Sequence, residues 1–339
     1  MIKRRSLLIV GGFNPENVFG IEYLNSGRTW RNIDYESNVI TPTSTYRNNH
    51  PIYSGMEVVT IDSCTMVTIP KFYFLYTKTS GGHKWWISNE QFYIPEVGLS
   101  KVHSAFIYNG SIVDSFYVGA YETSPDPNDS SKAISTFGGT PITSVNFSTM
   151  VTRCTNRNNG TTINHFALWN VYQLNAIQML FLIDMGGSDS QTLIGNGQSS
   201  ALQTSGNSNV VWRNIHELWG NAQHMVQGLE NRTKVYYLWT DAGNTTFYNT
   251  TVAVTNTGWA TDIYEDFASD YGLFIPSVIS SAESDGMFYD KLWVNASGNR
   301  VLYHGGKYTS GTGAGLFNMA VDQTASTADA RTTGRLSYY

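Results

Sequence analysis

Short apolar and aromatic runs, broken by turn residues, fill the chain over residues 20–119. This pattern favours β-strands over helices. Two pairs of runs flank residues suited to tight turns, Gly81-Gly82 in the first pair and Asn109-Gly110 in the second. Asn-Gly readily supplies the positive φ angles of a two-residue turn. We therefore predict two hairpins, whose strands are 72–76 with 84–87 and 106–108 with 112–116.

Two later segments have helical periodicity. Between residues 147 and 154, apolar side chains recur at i, i+3, i+4 and i+7, and Ser148 or Ser144 would cap this helix. Residues 166–185 are apolar around the whole circumference, which is typical of a buried helix, and Gly186-Gly187 would end it. A few helices among many short strands and long loops predict an α+β fold.

The composition limits the kinds of molecule that the protein is expected to bind. Charged residues make up 14% of the 339 residues and aromatic residues another 14%, with a net charge of −5. Nucleic-acid binding depends on clustered Lys and Arg, so we expect no nucleic-acid partner. A surface of this composition recognises its partners through uncharged polar and aromatic groups.

Neither the two cysteines nor the amino-terminal residues predict a disulfide, a signal peptide or a membrane span. Cys64 and Cys154 form neither a CxxC pair nor a disulfide framework, so we expect two buried thiols. The basic and apolar stretch at residues 3–10 has too short an apolar run for a signal peptide. No segment approaches the roughly 20 apolar residues of a membrane span. We therefore expect a soluble protein without a signal peptide or membrane insertion.

Two possible metal motifs fail on spacing. A zinc-protease motif starting at His216-Glu217 needs a second histidine where Gly220 stands, and the next histidine is His224. The acidic stretch at 126–129 lacks the glycine and terminal glutamate of a calcium loop, so loop capping is its expected role. The sequence predicts neither a metal site nor a cofactor.

Three stretches resemble, in order, segments of formylglycine-generating-enzyme-type domains. Residues 114–122 (DSFYVGAYE) resemble the opening strand with its Tyr-Glu pair. Residues 214–221 (NIHELWGN) resemble a Trp-rich segment with the order of its elements changed. Residues 301–308 (VLYHGGKY) and 334–338 (GRLSY) resemble the close of the domain. The resemblance implies a C-type-lectin fold of the formylglycine-generating-enzyme type.

Within this group the chain is most similar to the variable proteins of diversity-generating retroelements, which include phage receptor-binding proteins. The similarity lies in residues 176–183 (AIQMLFLI), in 190–195, and in 313–318 (GAGLFN) followed by 334–337. It covers most of residues 100–339. It implies a β-rich assembly or mounting region at 1–100 and a lectin-like ligand-binding domain at 101–339, with a variable segment at about 300–333.

The resemblance also implies that the enzymatic chemistry is lost. Enzymes of this fold use reactive cysteines near the end of the domain, and no cysteine follows Cys154. Formylglycine-generating or related iron or copper oxidase activity is the alternative, and a purely structural tail-fibre component is a second one. We expect no catalytic residues.

Segment 300–333 contains the candidate binding residues. Its glycines permit sharp turns, and Tyr and small polar groups between apolar anchors suit a binding surface. The alternative is that these are ordinary solvated loop residues. The candidates are Tyr303, His304, Tyr308, Thr309, Thr312, Asn318, Asp322, Thr324, Thr327, Asp329 and Arg331.

The implied partner is a host cell-surface protein or glycan, and the implied location is a virion tail or a cell surface. Related phage receptor-binding proteins are trimeric, so the resemblance implies a homotrimer. The aromatic runs 72–76 and Trp85-Trp86 are candidate contact surfaces, with core packing as their alternative role.

Overall fold

Short strands dominate the chain and helices are few. The computed structural model describes residues 12–197, 200–265 and 271–339, so the basic and apolar stretch at 3–10 lies outside the described residues. The elements up to residue 135 are β1 (Phe19–Leu24), β2 (Thr29–Ile33), α1 (Ser44–Asn49), α2 (Pro51–Ser54), β3 (Val58–Ile61), β4 (Cys64–Pro70), β5 (Tyr73–Thr79), β6 (Gly82–Ser88), β7 (Tyr93–Ile94), β8 (Gly98–Leu99), β9 (Lys101–Val102), β10 (Ile107–Tyr108), β11 (Ser111–Ile112), β12 (Ser115–Gly119), β13 (Thr123–Pro125) and β14 (Ala133–Ser135).

The later part of the chain contains the longer helices and the longest strands. Its elements are α3 (Phe147–Thr155), β15 (Ala167–Leu168), α4 (Val171–Met185), α5 (Ser190–Leu193), β16 (Val211–Trp212), β17 (Ile215–His216), β18 (Gln223–Arg232), β19 (Val235–Trp239), β20 (Phe247–Ala253), β21 (Trp259–Glu265), β22 (Tyr271–Ser280), β23 (Leu292–Val294), β24 (Asn299–His304), β25 (Met319–Val321), β26 (Thr332–Thr333) and β27 (Leu336–Tyr338). None of the described helices is long and apolar enough to cross a membrane.

The first predicted hairpin is confirmed, and the second is confirmed around its turn but is shorter than predicted, because Ser115 and Phe116 belong to β12 in another sheet. β5 and β6 pair antiparallel up to Thr79 and Gly82, so the turn is Ser80-Gly81, one residue earlier than predicted. Glycine is required at position 82 because a Cβ there would lie 1.8 Å from the carbonyl oxygen of Tyr23. β10 and β11 pair around Asn109-Gly110, and both turn residues have positive φ.

The larger sheets connect distant parts of the sequence. The amino-terminal sheet has the order β2-β1-β6-β5-β9, and a second sheet has the order β15-β27-β12-β4-β3. The third has the path β20-β19-β18-β24-β25-β23, with β26 paired to β18. Three strands of the third sheet, β24, β25 and β26, include residues of segment 300–333.

Helix α4 is the predicted buried helix. It begins at Val171 rather than near residue 166, because Asn170 caps it in a reciprocal box with Gln173. Every residue from Val171 to Asp184 is buried. Gly186 ends it in the left-handed conformation, as predicted.

Helix α3 is confirmed, but both predicted caps are wrong. The side chain of Asn146 accepts a hydrogen bond from the backbone N–H of Thr149 at 2.9 Å and is the N-cap. Ser148 lies inside the first turn and donates its own hydroxyl to Asn146. Ser144 lies outside the helix, where its N–H donates to the Asp329 carbonyl oxygen.

The packing does not divide at residue 100. One hydrophobic core cluster runs from Phe19 to Leu336. In the second sheet, β4 pairs with β12, which lies beyond the predicted boundary. The predicted boundary therefore does not separate two hydrophobic cores. The fold is mostly β with a few helices, in line with the α+β prediction at that level.

Candidate functional site

Three of the predicted binding residues are buried, which corrects their assignment to an exposed face. Tyr303 and His304 lie on β24, between β18 and β25 in the third sheet, where neither has exposed surface. His304 Nε2 donates to the Leu316 carbonyl oxygen at 2.7 Å. Asn318, also fully buried, donates to the carbonyl oxygens of Lys291 and Gly313. These three side chains support the segment from inside.

The other predicted residues reach the surface, mostly on two loops. Thr309 and Thr312 are exposed in the loop 307–313. Half-buried side chains make up the rest of the predicted set: Tyr308, Asp322, Thr324, Thr327, Asp329 and Arg331. Loops 307–313 and 324–331, together with segments 137–146 and 200–208 beside them, are called the loop face.

Asp329 connects the two loops. Its carboxylate accepts from Lys307 Nζ at 2.7 Å and from Arg331 Nε at 3.0 Å. Partial burial raises the pKa of Asp329, but the hydrogen bonds from Arg331 and Lys307 outweigh burial and hold that pKa well below its usual range. Asp329 therefore braces the loop face as an ion, and Arg331 keeps an exposed outer side.

The two neighbouring segments of the loop face were not predicted from the sequence. The backbone N–H groups of Ser144 and Phe147 donate to the carbonyl oxygens of Asp329 and Ala325. This places segment 137–146 against loop 324–331. Asn221 accepts from Tyr308 N–H on its carbonyl oxygen and from Gln203 N–H on its side chain, both at 2.9 Å. Residues 200–208 therefore flank loop 307–313.

Phe137 is the most exposed aromatic side chain among the described residues, with 65% of its surface exposed. It packs edge-on against Tyr121, and Tyr121 lies 4.7 Å from the His216 ring. The sequence contains one indication that Phe137 is exposed. It stands directly before Gly138-Gly139, and glycine-rich loops lie at the protein surface.

A buried polar network lies beneath the loop face. Glu122 is fully buried and accepts from Asn221 Nδ2 at 2.6 Å and from His224 Nε2 at 3.0 Å. Burial raises the pKa of Glu122 to about 7, even though Arg335 and its hydrogen bonds lower it. Burial holds the pKa of His224 well below its usual value, so His224 is the neutral donor. Through Asn221, the network supports the backbone of Tyr308.

Arg335 closes this network from the carboxyl-terminal side. Its guanidinium donates to the carbonyl oxygens of Gly119, His216 and Glu217 at 2.5 to 3.0 Å. Glu217 is also fully buried, and burial raises its pKa to about 7, with Glu122 adding to the effect. Its carboxylate accepts from the backbone N–H groups of Gly206 and Ser208. Glu217 thereby fixes segment 200–208.

The three stretches that carried the family resemblance converge in this network. Glu122 ends the first stretch, Glu217 and Asn221 lie in the second, and Arg335 lies in the last. Sequence spacing gave no indication that they meet. Their convergence indicates that the recurring residues hold the loops in place from below.

The thiols are not arranged for nucleophilic chemistry. Both cysteines are buried and unpaired, as predicted. Burial raises the pKa of Cys64 to about 11, and burial raises that of Cys154 further. A reactive cysteine needs the thiolate form and access to substrate, and these residues have neither.

Two of the residues weighed for metal binding, Asp126 and His216, form hydrogen bonds within the protein. Asp126 caps its own loop at Asn128 N–H and pairs with Arg157 at 3.0 Å, which confirms the capping role. His216 contributes its carbonyl oxygen to Arg335. No group of three or more metal-binding side chains occurs among residues 12–197, 200–265 and 271–339.

Comparison with known proteins yields weak structural similarity. No family model matches the sequence, and no curated protein is significantly similar to it. The chain is similar to the U1 variant of Major Tropism Determinant over 96% of this chain and 73% of that one, at 10% sequence identity and a TM-score of 0.30. The M1 variant gives the same coverage, 9% identity and a TM-score of 0.31. These TM-scores are below those of proteins that share a fold, so any proposal about function rests on the site.

Proposed function

We propose that the chain is a non-enzymatic receptor-binding protein, an adhesin of a phage tail or a cell surface, whose loop face contacts a host surface protein or glycan. The scaffold is proposed to be a C-type-lectin fold of the formylglycine-generating-enzyme type, in line with the sequence resemblance. Diversification of segment 300–333 would then act on its surface residues alone.

One observation carries this proposal. The exposed loops 307–313 and 324–331 are fixed by backbone hydrogen bonds to neighbouring segments and by the buried network around Glu122 and Arg335. Loops held in this way lose little conformational entropy on binding, and exposed side chains such as Thr309 and Thr312 can change without disturbing the core. Rigid support below replaceable surface residues is what a recognition surface requires.

The experiment changes only exposed positions of the loop face. The double variant Thr309→Tyr with Thr312→Tyr adds two large aromatic side chains to loop 307–313. Fluorescently labelled full-length protein is applied to a panel of bacterial strains and bound protein is measured by flow cytometry. We expect the wild type to bind a subset of strains and the variant to lose binding to that subset by at least about 10-fold, because interface centres tolerate steric change poorly.

The matched control carries the same change elsewhere. Ser26 and Ser80 are exposed in turns of the amino-terminal sheet, and Ser26→Tyr with Ser80→Tyr should leave the binding pattern unchanged. If the loop-face variant binds as the wild type does, or both variants lose binding equally, the loop face is not the binding surface.

The two alternatives give different results. A purely structural tail component would bind no strain, and virions lacking it would fail to assemble. An oxidase of the formylglycine-generating or iron type would hold copper or iron in stoichiometric amount, which metal analysis of the purified chain detects. The high thiol pKa values of both cysteines disfavour a thiolate mechanism.

A further inference from the structure

An elongated groove runs along helix α3, beside the loop face. It consists of two adjoining depressions of about 380 and 310 Å³ that share Val151, Gln227 and Trp239. One wall is α3, and the other is formed by β18 with the ring of Trp239. This feature is called the α3 groove.

A bulge in β18 shapes the floor of the α3 groove. β18 and β24 pair up to Val226, and pairing resumes only at Glu230, so residues 227–229 are displaced from the ladder. Gly228 has a φ of +90°, and a Cβ there would lie 3.2 Å from the Trp239 ring. Glycine therefore allows the indole to lie against the bulge. Bulges of this kind reorient side chains at binding sites more often than elsewhere.

Trp239 has an unsatisfied polar group at this position. Its side chain is 7% exposed, and its indole N–H has no hydrogen-bond partner among the described residues. A buried donor without a partner lowers the stability of the folded protein. The nitrogen itself has almost no exposed surface, so a ligand oxygen that enters the groove accepts from it only once the ring has rotated.

The lining of the α3 groove consists mostly of aromatic and neutral side chains. Trp239 and Phe247 are in edge-to-face contact, and Thr152, Thr155 and Gln227 add hydroxyl and amide groups. The carboxylate in this lining, that of Glu230, is paired with Arg232 at 2.7 Å. Pyranose rings present C–H faces that pack on the negative faces of aromatic rings, and their hydroxyl groups suit neutral donors and acceptors.

Charge and backbone geometry separate this ligand class from others. Anionic ligands require free cations, and Arg232 is already paired. An extended peptide adds to a sheet edge through main-chain bonds, whereas one wall of this groove is helix α3, whose interior amides bond along the helix. We propose that the α3 groove binds a short stretch of neutral glycan, as a second site independent of the exposed threonines of the loop face.

The test uses the full chain and four neutral trisaccharides: maltotriose, cellotriose, mannotriose and N-acetylated chitotriose. Saturation-transfer NMR and intrinsic tryptophan fluorescence report binding, and we expect at least one sugar to bind with a Kd of about 1 mM or tighter, as for a shallow site. Thr152→Arg places a long side chain across the groove from an exposed helical position. It should weaken binding of that sugar at least about 10-fold, a size expected for blocking a contact surface.

Two further variants keep the result interpretable. Ser26→Arg adds the same charge at an exposed turn of the amino-terminal sheet, which lines neither depression, and should leave sugar binding unchanged. Trp239→Phe keeps an aromatic ring but removes the N–H donor, and should weaken binding about threefold or more. The Thr309→Tyr with Thr312→Tyr variant should bind the sugar normally, so a failure of the loop-face proposal would be recognised separately.

Three results with the neutral sugars would overturn the α3 groove proposal: no signal from any of the four, binding retained in Thr152→Arg, or equal loss in Ser26→Arg. Sialyllactose is added as an anionic comparison, and its binding in preference to every neutral sugar would also overturn the proposal, since it would indicate an anion site.

Discussion

At the scale of single residues, Arg335 and the two buried glutamates decide how firmly the loop face is held. Arg335 is fully buried, and burial lowers its pKa to about 10, with Glu122 and Glu217 opposing the shift. A buried arginine that donates to three backbone carbonyls connects strands distant in sequence. Removing one partner from such a network leaves an uncompensated charge, which costs about 3–5 kcal/mol. These residues therefore contribute to the stability of the loop face.

Glu217 yields a prediction about pH. Its pKa in the folded protein is about 7, raised from 4.5, so its contribution to stability is fully present below pH 4.5 and is lost as the pH rises through 7.

Glu217→Gln keeps the acceptor for Gly206 and Ser208 but cannot ionise. We expect the variant's stability relative to wild type to improve by about 2 kcal/mol between pH 5 and pH 8, measured by urea unfolding. A difference that stays constant across this range would show that Glu217 titrates normally.

At the scale of elements, local signals predicted much of the fold. The two hairpins and helices α3 and α4 follow from turn residues and periodicity, which act within a few residues. The first residues of these helices were harder to predict. Serines near Asn146 also fit an N-cap, and the apolar pattern before Asn170 continues back to residue 166.

The loop face could be predicted only in part. Segment 300–333 was identified, but its start is buried: the apolar run Val301-Leu302 before Tyr303 and His304 is typical of a strand covered on both faces.

The partners of segment 300–333 could not be predicted from periodicity. Segments 137–146 and 200–208 reach it through main-chain hydrogen bonds, and a backbone N–H leaves no trace in residue type. The same holds for the meeting of Glu122 with Asn221, which are 99 residues apart. Sequence resemblance marked these residues, and only the three-dimensional structure gives them a shared role.

Helix α3 yields the prediction at this scale. It connects the loop face to the α3 groove, since Phe147 N–H donates to Ala325 and Val151 lines the groove. Asn146→Ala removes the cap on Thr149 N–H and should destabilise the protein by about 1 kcal/mol. Ser148→Ala, two residues later, should change stability by less than about 0.5 kcal/mol, since Ser148 is exposed and caps nothing. Chemical unfolding of both variants decides, and equal effects would contradict the assignment of the cap.

At the scale of the whole molecule, one continuous core supports both proposed binding surfaces. The core cluster joins the amino-terminal sheet to the carboxyl-terminal strands, so the region before residue 100 contributes to the rigidity of the carboxyl-terminal region. The aromatic runs considered for subunit contacts belong to cores: Trp85 and Phe72 are in the main cluster, and Trp86 is buried in a smaller one. A subunit contact would therefore use other surface. One option is strand β3, which ends its sheet and leaves Val58 half exposed.

Self-association remains the prediction at this scale, with a trimer as the expected state. In the proposed receptor-binding role, a loop face of small polar side chains would have modest affinity for one host molecule, and linking several copies would raise avidity by about 10²–10⁴ without any new contact. An adhesin that depends on such a face gains most from being multivalent.

Multi-angle light scattering of the purified chain at micromolar concentration measures the mass directly, and we expect a particle close to three times 37.7 kDa. The mass should stay constant on dilution through the micromolar range, because obligate interfaces are large and apolar. A species that stays at 37.7 kDa would exclude stable self-association, and a stable dimer would contradict the trimer while leaving the avidity argument in place.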